Sequence, residues 1–381
     1  MRHLLLPALA PVTVLLCLLC TPAGAAHPYT NSEIDNLKQR IAALESATDG
    51  TDGEGGDAPP FMLQSLGRHL VFGGALEVEA AYDKTKGEGS SSDLTLSTAE
   101  LSIETELNAA VAGHLILLYE QTPDDDNLEV DEAVVSLRCP SSLFGLTPAL
   151  HAGRQYLPFG NFNSFMVTDP FTVDLGETRA TAALLKLEGD YLSLSGGVFN
   201  GAVDTGDNTL DSFVAAVTVT PVEGVSFGAS WLSDLAESDA GLVVDPALYS
   251  GTVAGGSLFV SLEFGPLAIE AEGVAALEDF DAALVGLDTS LPPDGIADTE
   301  LSGKRPKAWN LELALTPMDA VQIAARYEQR RDFADDARRY GGTISWGFFD
   351  QTLLALEYLY THREQGVGNS RTLTAQLAMD F

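Results

Sequence analysis

Read from its end backwards, the chain places Leu373, Ala375, Leu377, Met379 and Phe381 on one parity and Thr372, Thr374, Gln376, Ala378 and Asp380 on the other. A period of two with one apolar and one polar face is a β-strand. A strand of this kind closing on an aromatic residue is the habit of outer-membrane barrels, where lipid-facing and lumen-facing side chains alternate. The same alternation runs through the preceding three hundred or so positions. Leu76, Val78 and Ala80 oppose Glu77 and Glu79, and Leu101, Ile103 and Leu107 oppose Glu100, Ser102, Glu104 and Glu106. Trp309, Leu311, Leu313 and Leu315 oppose Asn310, Glu312 and Thr316, while Val321, Ile323, Ala325 and Tyr327 oppose Gln322, Arg326, Glu328 and Arg330. Alternation by itself also fits a soluble sandwich, so the connections decide.

Those connections differ in kind. Short ones fall at 108–110, 189–190, 221–224, 265–266, 317–319 and 350, with a medium one at 139–147. Between them lie longer, acidic segments at 83–93, 122–127, 157–177, 200–211, 234–251, 279–303, 331–336 and 362–369. Short turns at one end and long loops at the other predict an all-β protein over residues 68–381, a transmembrane antiparallel barrel of about 16 strands. A barrel of that size encloses water, and the chain is too short for the larger plugged transporters. After the first 26 residues no apolar run reaches the length, about twenty residues, of a membrane-spanning helix. A closed barrel is then the one way this sequence satisfies its backbone in lipid.

Three segments precede the strands. Residues 1–26, with Arg2, an apolar run over 4–20 and the small residues Ala23, Gly24, Ala25 and Ala26, have the form of a signal peptide. In residues 27–47, Ile34, Leu37, Ile41 and Leu44 form an a/d seam flanked by Glu33, Lys38, Arg40 and Glu45, the pattern of a short coiled-coil helix. About two heptads do not hold a helix in water alone. Either the seam finds partners, giving a periplasmic oligomerising stub and a homotrimer, or the helix frays. Residues 48–67 form an acidic Gly/Pro-rich linker.

Composition then narrows the function. A net charge of -35, from 55 acidic and 20 basic residues, excludes nucleic acid as a partner. It leaves open a preference for cations, divalent ions held by acidic loop tips such as Asp124, Asp125 and Asp126 or Asp234 to Asp239, and simple solvation; no EF-hand spacing is present. With Cys17 and Cys20 expected to leave with the signal, Cys139 is the cysteine that remains, and neither an intramolecular disulfide nor a cysteine metal site is expected. His27, His69, His114, His151 and His362 are scattered, without an H-E-x-x-H or G-x-S-x-G context, so the reading is a non-enzyme without cofactor.

The most distinctive stretch is G-R-Q-Y-L-P-F-G-N-F-N-S-F-M-V-T-D-P-F-T-V-D-L-G-E-T-R from Gly153 to Arg179. Exposing Phe159, Phe162, Phe165, Met166, Phe171, Val173 and Leu175 to water would be costly. Inside a wide barrel the inner wall is there to cover them, which makes residues 157–177 a constriction loop; the alternative is a loop packed outward over the rim or on a neighbouring subunit. An inward loop carries Asp169, Asp174 and Glu177 with it. Arg326, Arg330 and Arg339 project from the lumen face of distant strands, and opposed acidic and basic rims would set up a transverse field for selection. The alternative for the arginines is salt bridging with Glu312, Glu328 and Glu357.

Signal, coiled coil, linker, barrel and above all the G-R-Q-Y-L-P-F-G-N-F and V-T-D-P-F-T-V-D-L-G-E-T-R segments together resemble the LbtU family of siderophore porins of Gram-negative bacteria. The resemblance implies a protein of the cell outer membrane that admits ferric siderophore without a plug domain, and it carries over no catalytic or binding residue. Beside this stand a general cation-leaning diffusion porin and a structural or adhesive surface barrel whose pore is blocked.

Overall fold

The computed structural model describes residues 70–121, 128–201, 203, 210–243, 249–281, 284, 301–364 and 368–381. The signal peptide, the Ile34, Leu37, Ile41 and Leu44 seam, the linker and Asp124, Asp125 and Asp126 lie outside the described residues. Of the chain's two units, the second, residues 71–138 with 142–381, carries nearly all of the barrel and the segment 157–178.

Alternating sequence folds as alternating strand. The strands are β1 (Leu70–Thr85), β2 (Gly89–Asn108), β3 (Val111–Tyr119), β4 (Leu128–Arg138), β5 (Thr147–Tyr156), β6 (Arg179–Glu188), β7 (Leu192–Phe199) and β8 (Ser212–Val222). They continue as β9 (Val225–Leu232), β10 (Gly255–Phe264), β11 (Leu267–Ala276), β12 (Lys307–Met318), β13 (Val321–Arg331), β14 (Ala337–Phe349), β15 (Thr352–Arg363) and β16 (Ser370–Asp380). Each pairs with its sequence neighbour, and β1 pairs antiparallel with β16 from Ala75↔Asp380 to Thr85↔Ser370, so the sheet closes as a barrel. Closure leaves no unpaired sheet edge to template aggregation.

One expected loop is a strand pair instead. The segment 83–93 reads as a loop because Ser90, Ser91 and Ser92 show no apolar parity, yet β1 and β2 run through it and turn between Thr85 and Gly89. Gly87 and Gly89 adopt φ of 99° and 108° there, which glycine reaches without a Cβ penalty. A hairpin standing beyond the apolar band has water on both faces and needs no alternation.

The outer surface of β12–β15 shows how the band is built. Trp309, Tyr327, Tyr340 and Tyr360 form a run of ring contacts toward the long-loop end, with centroids 5.5, 6.5 and 5.3 Å apart in turn. Trp346, Phe348 and Phe349 form a second run at the short-turn end. Between them the exposed side chains are apolar, among them Leu311, Leu313, Ile323, Ile344 and Leu356. Tyr340 and Trp346 are separated by roughly 20 Å along β14 at ~3.4 Å per residue. Two aromatic girdles around an apolar band are the surface of a barrel embedded in lipid.

The main hydrophobic cluster draws on loops as well as strand ends. Phe159, Phe171, Leu175, Leu184, Phe199, Leu232, Leu235, Val274, Phe280 and Phe333 are buried together, and several of them come from connections at the long-loop end.

Candidate pore constriction

Between β5 and β6, residues 157–178 leave the wall and include one short helix, α1 (Phe171–Gly176). Two glycines of the distinctive segment shape this departure. Gly153 has φ 143°, and a Cβ there would lie 2.0 Å from the Ala133 carbonyl oxygen. Gly160 has φ 86°, and a Cβ there would meet the Phe162 ring at 2.2 Å. Phe162 itself sits at φ 54°, a left-handed conformation that costs an aromatic residue about 1–3 kcal/mol and persists only where its surroundings enforce it.

The surroundings are a row of wall glutamates. A loop without regular structure must find acceptors for its N–H groups, and an ionised carboxylate offers several acceptor sites at once. Asn161 N and Phe162 N each donate to Glu272 on β11 at 2.8 Å, and Gly160 N donates to Ser230 Oγ on β9 at 2.9 Å. Phe165 N donates to Glu312 on β12 at 2.7 Å, and Val167 N and Thr168 Oγ1 donate to Glu357 on β15 at 2.8 and 2.5 Å. Phe171 N donates to Glu328 on β13 at 2.7 Å. The loop thus turns inward and lies along the inner face from β9 to β15, held by charge-assisted bonds.

The arginines stand on that same side. Arg326 and Glu312 are both fully buried, joined at 2.7 Å, while Arg326 also donates to Thr168 O and Ser164 Oγ at 2.6 Å each. Arg326 therefore stitches loop to wall and faces no lumen. Arg339 donates to Glu328 at 2.5 Å and to the Asp169 carbonyl. Arg330 pairs with Asp335 and reaches Asp174 at 3.4 Å. The Phe171 ring lies between the two, 4.6 Å from the Arg330 guanidinium and 4.2 Å from that of Arg339, a cation–π arrangement. All three arginines thus bond the loop on the side where it lies, Arg330 through the Asp174 carboxylate and the other two through Ser164 Oγ and the Thr168 and Asp169 carbonyls, and the expected basic rim opposite the acidic loop is not formed by them. Of the sequence-level salt-bridge partners, Glu312 and Glu328 pair with arginine, and Glu357 serves the loop backbone.

Away from the loop's anchors, the inner wall of β1, β2 and β4 is rich in acid. It carries Glu77 and Glu79 on β1, Glu100 and Glu104 on β2, and Glu129, Asp131 and Glu132 on β4. His114 lies 2.5 Å from Glu132. Arg179, the first residue of β6, pairs with both Glu129 and Asp131, and its backbone N–H donates to Asp239 at 3.1 Å. Tyr156 OH donates to Asp131 at 3.1 Å, and Asp239 N donates to the Glu177 carbonyl at 2.8 Å. Asp234 is also a structural group: it accepts from Ala236 N, Val253 N and Tyr249 OH, and burial pushes its carboxyl up to about 6.

Burial, then the negative field of Asp169, Asp239 and Asp131, pushes the Glu177 carboxyl up to about 7. Burial also raises Asp169 and Asp174, with nearby arginines pulling each back. A carboxyl raised in the folded chain stabilises the fold below its unfolded value of 4.5, and that contribution is lost as pH rises through about 7. Above that point the loop gains a negative charge. The cation-to-anion permeability ratio is expected to rise as pH increases across about 7, and Glu177→Gln to flatten the rise; bilayer reversal potentials measured at a series of pH values check it.

Sequence reasoning singled out neither Glu272, Ser230, Arg179 nor Asp131. A usable signal existed for the first: Glu272, like Glu312, sits mid-strand on the polar parity, and so long an irregular loop needs acceptors somewhere.

No protein-family model matches the chain. It is 27% identical over 226 residues to a UPF0422 protein of Coxiella burnetii, covering 56% of this chain and 48% of that protein. It is 26% identical over 317 residues to the UPF0422 protein lpl2888 of Legionella pneumophila (strain Lens), covering 76% and 58%. The chain spans about half the length of the relatives it matches. Among solved structures, the outer membrane channel DcaP of Acinetobacter baumannii superposes with a TM-score of 0.61 at 14% identity, over 82% of this chain and 97% of that one. The anion-selective porin from Comamonas acidovorans does so at 0.56 and 13%, over 82% and 99%. The barrel has the fold of the outer-membrane porins. At these identities the likeness is one of fold, and the relatives' names state no activity.

Proposed function

We propose that this chain is a porin of the cell outer membrane, a water-filled channel narrowed by residues 157–178 that passes small solutes passively and favours cations. The observation that carries the reading is the loop's inward course along β9–β15, with Asp169, Asp174 and Glu177 on it and the acidic inner wall of β1, β2 and β4 away from its anchors. Fixed charge at a narrow point biases which ion enters. Lipid surrounds the aromatic-girdled band, and a homotrimer assisted by the seam of Ile34, Leu37, Ile41 and Leu44 is the assembly that goes with it. Purified protein in a planar bilayer under a KCl gradient is expected to give discrete conductance steps and a reversal potential on the cation side. Absence of steps would favour a blocked surface barrel, and an anion-side potential would overturn the charge argument.

A second, narrower reading is uptake of ferric siderophore. Its support is that the segment resembling the siderophore porins, Gly153 to Arg179, is the segment that forms the constriction. Iron-loaded siderophore accumulation in a porin-deficient strain, with and without this protein, tests it; equal accumulation leaves the general porin.

A further inference from the structure

The distinctive loop has more apolar surface than the core takes up. Phe159, Phe171 and Leu175 enter the hydrophobic cluster, with Phe162 packed against it. Phe165, Met166 and Val167 do not: they are half-buried and, together with Ser164, form one side of a separate cavity of about 390 Å³. Their positions are fixed from behind, because Phe165 N and Val167 N are the groups held by Glu312 and Glu357. The side chains are consequently a rigid ledge rather than a mobile flap.

The rest of the cavity is inner wall at the short-turn end of β12–β16. Gln322, Ser345 and Gln376 face the ledge, offering amides and a hydroxyl. Among the described lining residues Asp319 carries the one formal charge, and no lysine or arginine lines the space. Behind the rim the bias is repeated, since Gln376 Nε2 donates to Glu79 at 3.0 Å and to Glu77 at 3.4 Å. A cavity volume within the usual small-molecule range of roughly 300–1,000 Å³ that pairs an apolar ledge with convergent polar groups is the form of a ligand site.

We propose that this cavity, directly beneath the constriction, is a binding station for small organic cations that have an apolar face, the ring or chain lying on Phe165, Met166 and Val167 and the ammonium end turned toward Asp319 and the Glu77 and Glu79 rim. The proposal deepens the cation-porin reading and rests on it. Apolar surface standing in a water-filled passage gains by being covered, and the acid rim selects the sign of the guest. A solute with both features dwells there, whereas a small inorganic cation passes.

The test is single-channel recording with benzylammonium, ethylammonium and benzoate added in turn at the short-turn side. Benzylammonium is expected to cause resolved current interruptions that ethylammonium and benzoate do not. In the variant carrying Phe165→Ser and Met166→Ser, which leaves the backbone anchors in place, benzylammonium affinity should fall about tenfold or more, read as interruptions of that variant's own open-channel current. Asp319→Asn should weaken benzylammonium alone. A conducting channel with no benzylammonium interruptions, or interruptions unchanged in the double variant, overturns the station and leaves the porin reading intact. A barrel that gives no current overturns the porin reading, and saturation-transfer NMR of benzylammonium on the detergent-solubilised protein then decides the station: transfer lost in the double variant supports it, and no transfer in the parent rejects it.

Discussion

Removing residues 161–172 raises single-channel conductance several-fold and leaves the channel cation-preferring. The deletion takes out the stretch that donates to Glu272, Glu312, Glu328 and Glu357, so the part of the lumen it occupied fills with water. Those carboxylates lose their backbone partners but gain solvent, which satisfies them. The wall then presents them alongside Arg326, Arg330 and Arg339, while Glu77, Glu79, Glu100 and Glu104 opposite are unchanged. Net acid persists on both sides. Planar-bilayer recording and a liposome-swelling series with sugars of increasing size measure the bore by independent means. Unchanged conductance with an unchanged size cut-off would falsify the constriction role.

Arg326→Met lowers the stability of the folded barrel by roughly 3–5 kcal/mol, the usual consequence of leaving a buried charge without its partner. Here the effect is doubled in kind, since Glu312 and Glu328 are both fully buried and Arg326 lies 2.7 Å from the first and 3.5 Å from the second. Thr168 O and Ser164 Oγ lose a donor as well. The sharper expectation is the contrast with Glu312→Gln combined with Arg326→Met. Neutralising both members removes much of the uncompensated charge, so heat-modifiable mobility on gels recovers toward that of the parent. The loop does not recover: Phe165 N keeps only a neutral amide to bond, and Thr168 O has no guanidinium. Current noise is therefore expected to stay high in the double variant even though the barrel is stable. A quiet double variant would mean that the Glu272 and Glu357 anchors suffice.

Much of the barrel was legible because two signals agree. Alternation located the strands, and the short links read at 189–190, 221–224 and 265–266 fixed their pairing, the observed turns spanning 189–191, 223–224 and 265–266. The hairpin at Gly87 was missed because the only signal for it would have been apolar parity, which a strand clear of lipid does not carry. The inward course of residues 157–178 was legible in their aromatic content. Where the loop lands was not, since contacts such as Val167 with Glu357 join positions 190 apart in the chain. Within one hairpin more could have been read: the short link between β12 and β13 places Glu312 directly across from Arg326, so that pair follows from turn and register alone. The notion of arginines opposite the loop failed for want of the long-range landing point.

The landing points carry a temporal consequence. Every anchor of the loop lies on a strand made after it, and the last, on β15, exists only when nearly the whole chain has emerged. Contacts of such sequence separation form late because the intervening chain must first be ordered. The bore is thus set near the end of assembly, after most hairpins have zipped and close to the moment when β16 meets β1. A loop still outside the mouth when the sheet seals would leave Phe159, Phe171 and Leu175 in water, so burial of these side chains favours insertion of the loop together with, rather than after, closure of the seam.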